Sequence, residues 1–494
     1  MCKTLPTQIH LVTIKIYTRH KTNQKIAMKN SIIIFLLLFS INVFAQKSEK
    51  TKKESIYVKQ LDSLMATSYE RGLFNGNVLV SKDDKIIYQK SFGFTDETKQ
   101  HRLNDQSIFN IGSIAKEFNA VAIMILVERG LVKLDDTVAK FNLGLPKWSE
   151  KVTIRQLVNY ASGIPRIDPL VPKNDEEAWK ILRNNDKLLF EPGTSYSYDN
   201  SNVFLQRRII EKVTGISYQE FVNKNIIRPI KMTNSVFDPK SGYKNRTSCY
   251  DMDNVRCPEM EFISGWLWVD INDFYKWIEA MNANRLISQE SFQTLLNNPY
   301  AKDEGGSLGR YLEKEQLQRH NGVSYKFESI FLNDFKNNVK IILLSNNLNK
   351  VWDLGYTIHH LMLGKAYEVP KKSIYQALKK EALKNVNTAI ANYELLKKNT
   401  EEEYSFKNPS ELNRLGYELL RLGKNEESIT IFKLATREFP KDANLFDSLG
   451  EAYFTNKQYD LALSSYKKAI SLGGTNGNAE KMIAQIEKII GDKN

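Results

Sequence analysis

The chain has 494 residues, 42% of them hydrophobic and 26% charged, with a formal net charge of +13. That length exceeds a single compact core and calls for two or more domains, while the composition excludes an intrinsically disordered chain. Residues 1–45 carry Lys3, Lys15, Arg19, Lys21, Lys25 and Lys29 and no acid, so without them +13 falls by six to a mild +7. This excess suits an anionic envelope. It shows no Lys/Arg cluster interleaved with aromatics, which argues against nucleic-acid recognition.

In chain order, the first feature is Met28 to Gln46, MKNSIIIFLLLFSINVFAQ. A lysine start, an apolar run from Ile32 to Phe44 and the small-residue site Val43-Phe44-Ala45 mark an export signal whose true start is Met28. The run is shorter than the roughly 20 residues needed to span a bilayer, so no transmembrane anchor is expected after cleavage. The mature chain is expected outside the cytoplasm, periplasmic or secreted, where Cys249 and Cys257 can pair. Neither CxxC nor HExxH occurs, and His359-His360 sits in an apolar segment and reads as structural, so neither metal nor cofactor is expected.

After a charged linker over residues 46–54, a helix is expected from Ser55 to Arg71, with Tyr57, Leu61, Leu64 and Met65 on one face. Two strands, GNVLVSK and KIIYQKSFG, flank the turn Asp83-Asp84 and lack partners nearby in sequence. Their partners are expected among three runs far downstream: Leu317 to His320, KFESIFLND and NVKIILLSNN. Five antiparallel strands drawn from both ends of residues 55–365, with a helical region inserted between, predict an α/β sandwich with helices on both faces of the sheet. Strand signals stop near residue 366. A connecting helical segment follows over 366–405, with one helix expected from Ser373 to Lys398. Within 406–490 a 34-residue period appears: Leu415-Gly416 recurs as Leu449-Gly450, Phe432 as Tyr466 and Ala435 as Ala469, whereas Ser428 stands where the second unit has Ala462. This resembles tetratricopeptide repeats, all-α hairpins that either cap the preceding domain or offer a groove to a protein partner.

The chemistry concentrates in three places. In NIGSIAKEFNA, Gly112 and Ser113 open an apolar stretch expected to form a helix buried on every side, and Lys116 shares the face of Ser113. A desolvated lysine there can take the serine proton, and helix N–H groups favour negative charge developing beside the hydroxyl. S-x-x-K also occurs at Ser241, Ser464 and Ser465, but those lie in a Gly/Asn-rich loop or on a repeat helix. Tyr198-Asp199-Asn200 follows Pro192-Gly193 and precedes a helix: Tyr198 can relay protons, and the Asn200 amide can orient Lys116 and a substrate carbonyl. A second Y-x-N, at Tyr243, lacks that setting. The third is His320-Asn321-Gly322. Here Gly322 is expected to let the strand backbone approach a substrate, and the Val323 N–H to pair with that of Ser113 as an oxyanion hole. The rival Lys240-Ser241-Gly242 lies in a loop without strand signals.

Ser113-x-x-Lys116, Tyr198-x-Asn200 and His320-x-Gly322, in that order, resemble the three motifs of the class C β-lactamase and penicillin-binding-protein-like serine hydrolases. LVERGLVKLDD, VTIRQLVNYASGIP and EPGTSYSYDNSNVFL are similar to that family's connecting segments. The resemblance covers about residues 55–360. It implies an acyl-enzyme route in which Ser113 attacks a carbonyl, Lys116 and Tyr198 move protons, and water releases the acid. Two departures stand out. Many relatives have a histidine where this chain has Tyr160-Ala161, and the third motif begins with His320 instead of lysine. Histidine is mostly neutral at pH 7, so weaker carboxylate recognition is expected, favouring an esterase or D-peptidase-like hydrolase over a true β-lactamase. The alternative is a catalytically weak relative that acts mainly as a repeat-mediated binding protein in the envelope.

Overall fold

The computed structural model describes residues 54–491 apart from 168–172, 252–253, 259–262, 302–304, 348–350 and 475–476. The expected export signal and residues 46–53 of the expected linker lie outside the described residues. The first helix, α1 (residues 54–70), buries Tyr57, Leu61, Leu64 and Met65. Strands β1 (Gly76–Lys82) and β2 (Lys85–Phe92) form a hairpin whose turn places Asp83 and Asp84 at φ +51° and +60°, the left-handed conformation that aspartate tolerates.

The main sheet is antiparallel throughout, in the order β2-β1-β9-β8-β7-β6, with β6 (Arg310–Leu312), β7 (Leu317–Ser324), β8 (Phe327–Asp334) and β9 (Val339–Ser345). The N-terminal hairpin joins the downstream strands through β1 on β9, Gly76 opposite Ser345. Six strands form where five were expected: the three-residue β6 extends the edge beside residues 317–319 of β7. So short a strand has no periodicity of its own and exists by pairing with β7. Every residue of β8 and β9 is buried, as in a sheet covered on both faces. A small second sheet pairs β3 (Phe109–Asn110), β5 (Leu267–Val269) and β4 (Val236–Phe237), in that order.

Between the two ends lie α2 (Lys116–Glu128), α3 (Ile154–Val158), α4 (Asp175–Arg183), α5 (Asn200–Thr214), α6 (Tyr218–Val222), α7 (Ile271–Asn282) and α8 (Gln289–Leu296). In α2 every residue from Lys116 to Leu126 is buried, as its near-continuous apolar run requires. Helix α9 (Val351–Met362) covers β8 and β9, and His359 Nε2 meets buried Asp334 Oδ2 at 2.8 Å, a structural pair that holds the Asp334 carboxyl below its usual range.

The expected helix from Ser373 to Lys398 is two helices, α10 (Ile374–Lys384) and α11 (Val386–Thr400), broken at Asn385. Asn385 caps the second, its Oδ1 accepting from Thr388 N–H at 3.0 Å. Helices α12 (Pro409–Arg421), α13 (Asn425–Glu438), α14 (Ala443–Thr455) and α15 (Tyr459–Ser471) form two hairpins, closed by α16 (Asn478–Gly491). The repeated glycines admit the repeated aromatics: a Cβ on Gly416 would stand 2.5 Å from the Phe432 ring, and one on Gly450 2.9 Å from Tyr466. Ser428 breaks the pattern without cost, because its buried hydroxyl donates to the Gly416 carbonyl at 2.8 Å. Among the described residues no helix is long and apolar enough to cross a membrane.

Candidate active site

Ser113 lies in a 3-10 turn, Gly112–Ala115, immediately ahead of α2 rather than at its N-cap, and its hydroxyl caps no helix N–H. It meets Lys116 Nζ, which donates to Ser113 Oγ at 3.1 Å. With the amine in its free-base form the same contact reverses, and the hydroxyl donates to nitrogen. Lys116 is only 3% exposed, and two ring faces cover its Nζ, Tyr198 at 5.0 Å and Trp266 at 4.9 Å. The other S-x-x-K serines have no such setting: Ser241 is exposed, and Ser465 returns its hydroxyl to Leu461 O within its own helix.

Tyr198 is 43% exposed. Two loops bound to one another hold it: Gly193 N–H donates to Ala161 O at 2.8 Å, Ser197 N–H to Tyr160 O at 2.8 Å, and Leu189 N–H to Gly163 O at 2.7 Å. Tyr160, at φ +56° and buried, packs its ring 4.9 Å from Tyr198, so the residue standing where many relatives have histidine is a wall for the phenol. Burial drives the Tyr160 hydroxyl well above its ordinary range. Asp199 caps α5, accepting from Ser201 N–H at 2.7 Å and Asn202 Nδ2 at 3.0 Å. Burial raises its carboxyl to about 6, against those hydrogen bonds. Asn200 is the first residue of α5, and among the described residues it makes no hydrogen bond to Lys116.

The third element comes from β7. Gly322 is required by the protein's own backbone: a Cβ there would fall 1.9 Å from Ile111 O and 3.0 Å from Ser113 N. The glycine thus lets β7 lie directly against the turn that carries Ser113. The hairpin closes on Ser324 opposite Phe327, so antiparallel alternation turns the Val323 N–H away from β8, toward the turn that carries Ser113. A Cβ on Gly112 would lie 2.6 Å from Val323 N, which sets the two edges side by side. The Gly112 N–H itself is held by Asn110 Oδ1 at 2.8 Å.

His320 turns inward. Its Nδ1 is hydrogen-bonded to Glu117 Oε1 at 2.7 Å, and the other carboxylate oxygen accepts from Trp277 Nε1 at 2.8 Å. Glu117 is 1% exposed, an acid inside the apolar helix that sequence reasoning passed over. Its signal was visible: the lone carboxylate in α2's buried run must find donors, and His320 and Trp277 are those donors. Ser113, Tyr198, His320 and Val323 line one cavity of about 520 Å³, together with Tyr196, Arg310, Arg319, Asn321 and Trp352. Two arginines, Arg310 and Arg319, are thus part of the lining of the cavity whose third motif begins with histidine rather than lysine. Lys240 and Ser241, the rival motif, line a separate cavity of about 610 Å³ with Trp266, Trp268 and both thiols. Cys249 and Cys257 are free thiols on paired backbone, with Cys257 N–H donating to Cys249 O at 2.8 Å. Their mutual hydrogen bond raises the Cys249 thiol and lowers that of Cys257.

Buried helix, sheet edge and paired loops converging on a serine–lysine pair define the penicillin-recognising serine hydrolase fold, and comparison with known proteins agrees. The beta-lactamase family model matches residues 58–362, and the chain belongs to that family. A tetratricopeptide repeat model matches residues 443–472. Penicillin-binding protein 4* of Bacillus subtilis (strain 168) is 28% identical over 67% of this chain and 81% of its own length. Protein flp of Staphylococcus aureus (strain MW2) is 26% identical over 58% of this chain, which spans 63% of that protein. Among solved structures, the octameric penicillin-binding protein homologue from Pyrococcus abyssi superposes with a TM-score of 0.55 at 26% identity, covering 65% of this chain and 81% of that one. A class C beta-lactamase shares the fold at TM-score 0.53 and 18% identity, over 63% of this chain and 97% of that one.

Proposed function

We propose that the protein is an exported serine hydrolase that cleaves an ester, amide or peptide-like substrate through an acyl-enzyme on Ser113. The observation that carries this reading is the 3.1 Å contact between Ser113 Oγ and a buried Lys116 amine at the wall of an open cavity. As Oγ bonds the substrate carbonyl carbon, the hydroxyl proton passes to Lys116 Nζ and the C=O π pair moves to oxygen, facing the N–H groups of Ser113 and Val323. That pair then re-forms the carbonyl and expels the leaving group, which takes the proton from Lys116 through the Tyr198 hydroxyl. Water repeats the sequence on the acyl-enzyme and frees the acid. Asn200, two residues after Tyr198 at the start of α5, is assigned to orienting the substrate carbonyl, and His320, its Nδ1 engaged by Glu117, lines the cavity.

The histidine at the head of the third motif, where β-lactamases carry a lysine, supports an esterase or D-peptidase-like activity over β-lactam hydrolysis. The leader from Met28 to Gln46 supports export, and the tetratricopeptide match supports docking of a protein partner on the C-terminal repeats. Intact-mass analysis after exposure to a fluorophosphonate tests the reading: wild type gains one adduct and Ser113→Ala gains none. An adduct retained by the alanine variant removes Ser113 as the nucleophile.

A further inference from the structure

We propose that Trp266 is a positioning residue for Lys116, forming with Tyr198 a two-ring clamp that keeps the amine against the Ser113 hydroxyl through both halves of the proton transfer; this rests on the hydrolase reading above. Lysine has a four-carbon stem and many rotamers, and a base must stay within hydrogen-bond reach of the proton it takes. Only one hydrogen bond to Lys116 Nζ is present among the described residues, that to Ser113 Oγ. The rest of its surroundings is aromatic, with the Trp266 ring at 4.9 Å and the Tyr198 ring at 5.0 Å. A π face suits this task because it receives the neutral amine as an apolar wall and the ammonium as a cation–π partner, so the contact survives the change of charge.

The segment bearing Trp266 is built to stay in place. The Asp238 carboxylate accepts from Gly265 N–H at 2.7 Å and Trp266 N–H at 2.9 Å. Arg207, fully buried, donates Nη1 to Ser264 O and stands 5.6 Å from the Trp266 ring. Its Nε donates to Asn119 Oδ1 at 2.9 Å, and Asn119 Nδ2 to Ala115 O at 3.2 Å, so the same guanidinium is tied to the turn that precedes Lys116. The Trp266 ring thus lies within cation–π reach of both Lys116, at 4.9 Å, and Arg207, at 5.6 Å.

The test is the concentration dependence of fluorophosphonate labelling in wild type, Trp266→Met and Trp266→Phe. Methionine keeps the bulk and loses the ring; phenylalanine keeps a ring. The expected result is a fall of about tenfold in the saturating labelling rate of Trp266→Met, with the half-saturating concentration unchanged, and recovery of most of that rate in Trp266→Phe. Wild-type rates in Trp266→Met, or an equal fall in both variants, overturn the clamp. A wild type that takes no label overturns the hydrolase reading itself, and no variant enters that comparison.

Discussion

The catalytic region and the repeat region solve burial in opposite ways. In the repeats, Phe432 and Tyr466 each meet a glycine on the neighbouring helix of their own hairpin, and the core consists of local apolar clusters. In the catalytic region the decisive contacts join distant segments and are often polar: Glu117 with His320, Asn119 with Arg207, β1 with β9. Local packing makes the repeats modular, with stability close to a sum of neighbour terms. Buried polar networks instead fix one arrangement, since leaving any member unpaired is costly.

That contrast can be broken at either side. The largest expected effect is in the repeats: Tyr466→Ala removes a fully buried ring and should cost about 3 to 5 kcal/mol, unfolding α14–α16 while fluorophosphonate labelling of Ser113 persists. Limited proteolysis followed by labelling reads both at once, and loss of labelling in step with the cleavage would show that the two regions fold as one.

A smaller effect follows from Asp199. Its folded carboxyl is raised from 3.8 to about 6, so between those values the folded state holds the extra proton, and stability falls as pH rises through that window. The cost is fully present above about 6 and absent below the unfolded value. Melting temperatures between pH 4 and 7 should therefore decline for wild type more steeply than for Asp199→Asn. Parallel curves would assign the slope to other groups.

The smallest effect concerns the thiols. Cys257, lowered by its partner, should be alkylated by iodoacetamide at neutral pH ahead of Cys249, which burial and the same hydrogen bond raise. Peptide mapping at partial modification gives the order, and reversal would contradict the hydrogen bond's direction.

Much of this was legible in the sequence for physical reasons that differ by element. The Ser113 and Lys116 pair shows because polar residues at the head of an apolar run must be accounted for locally. The hairpin over residues 76–92 signals its missing partners because strands cannot stand alone. The 34-residue period shows because each repeat needs the same glycine and aromatic. What stayed hidden depends on contacts across the chain. Strand β6 has three residues and no pattern. The break at Asn385 sits inside a continuous helical composition, where a cap competes with the helix by a margin that composition does not reveal. Nothing near Trp266 announces Lys116, 150 residues earlier in the sequence. The close approach of Gly322 to Ile111 O likewise joins segments about 210 residues apart and leaves no local signal.

If the protein is the hydrolase proposed above, the contact between Glu117 and His320, 203 residues apart, bears on the order in which its site is assembled. A nascent chain that has emerged only as far as residue 300 already holds its hydroxyl and its amine, yet the strand that brings the second oxyanion donor and the imidazole has still to be made. On that reading the serine stays unarmed until residues 317–324 thread back to the turn at 112–115, so the two ends of the domain must meet before any hydrolase can work.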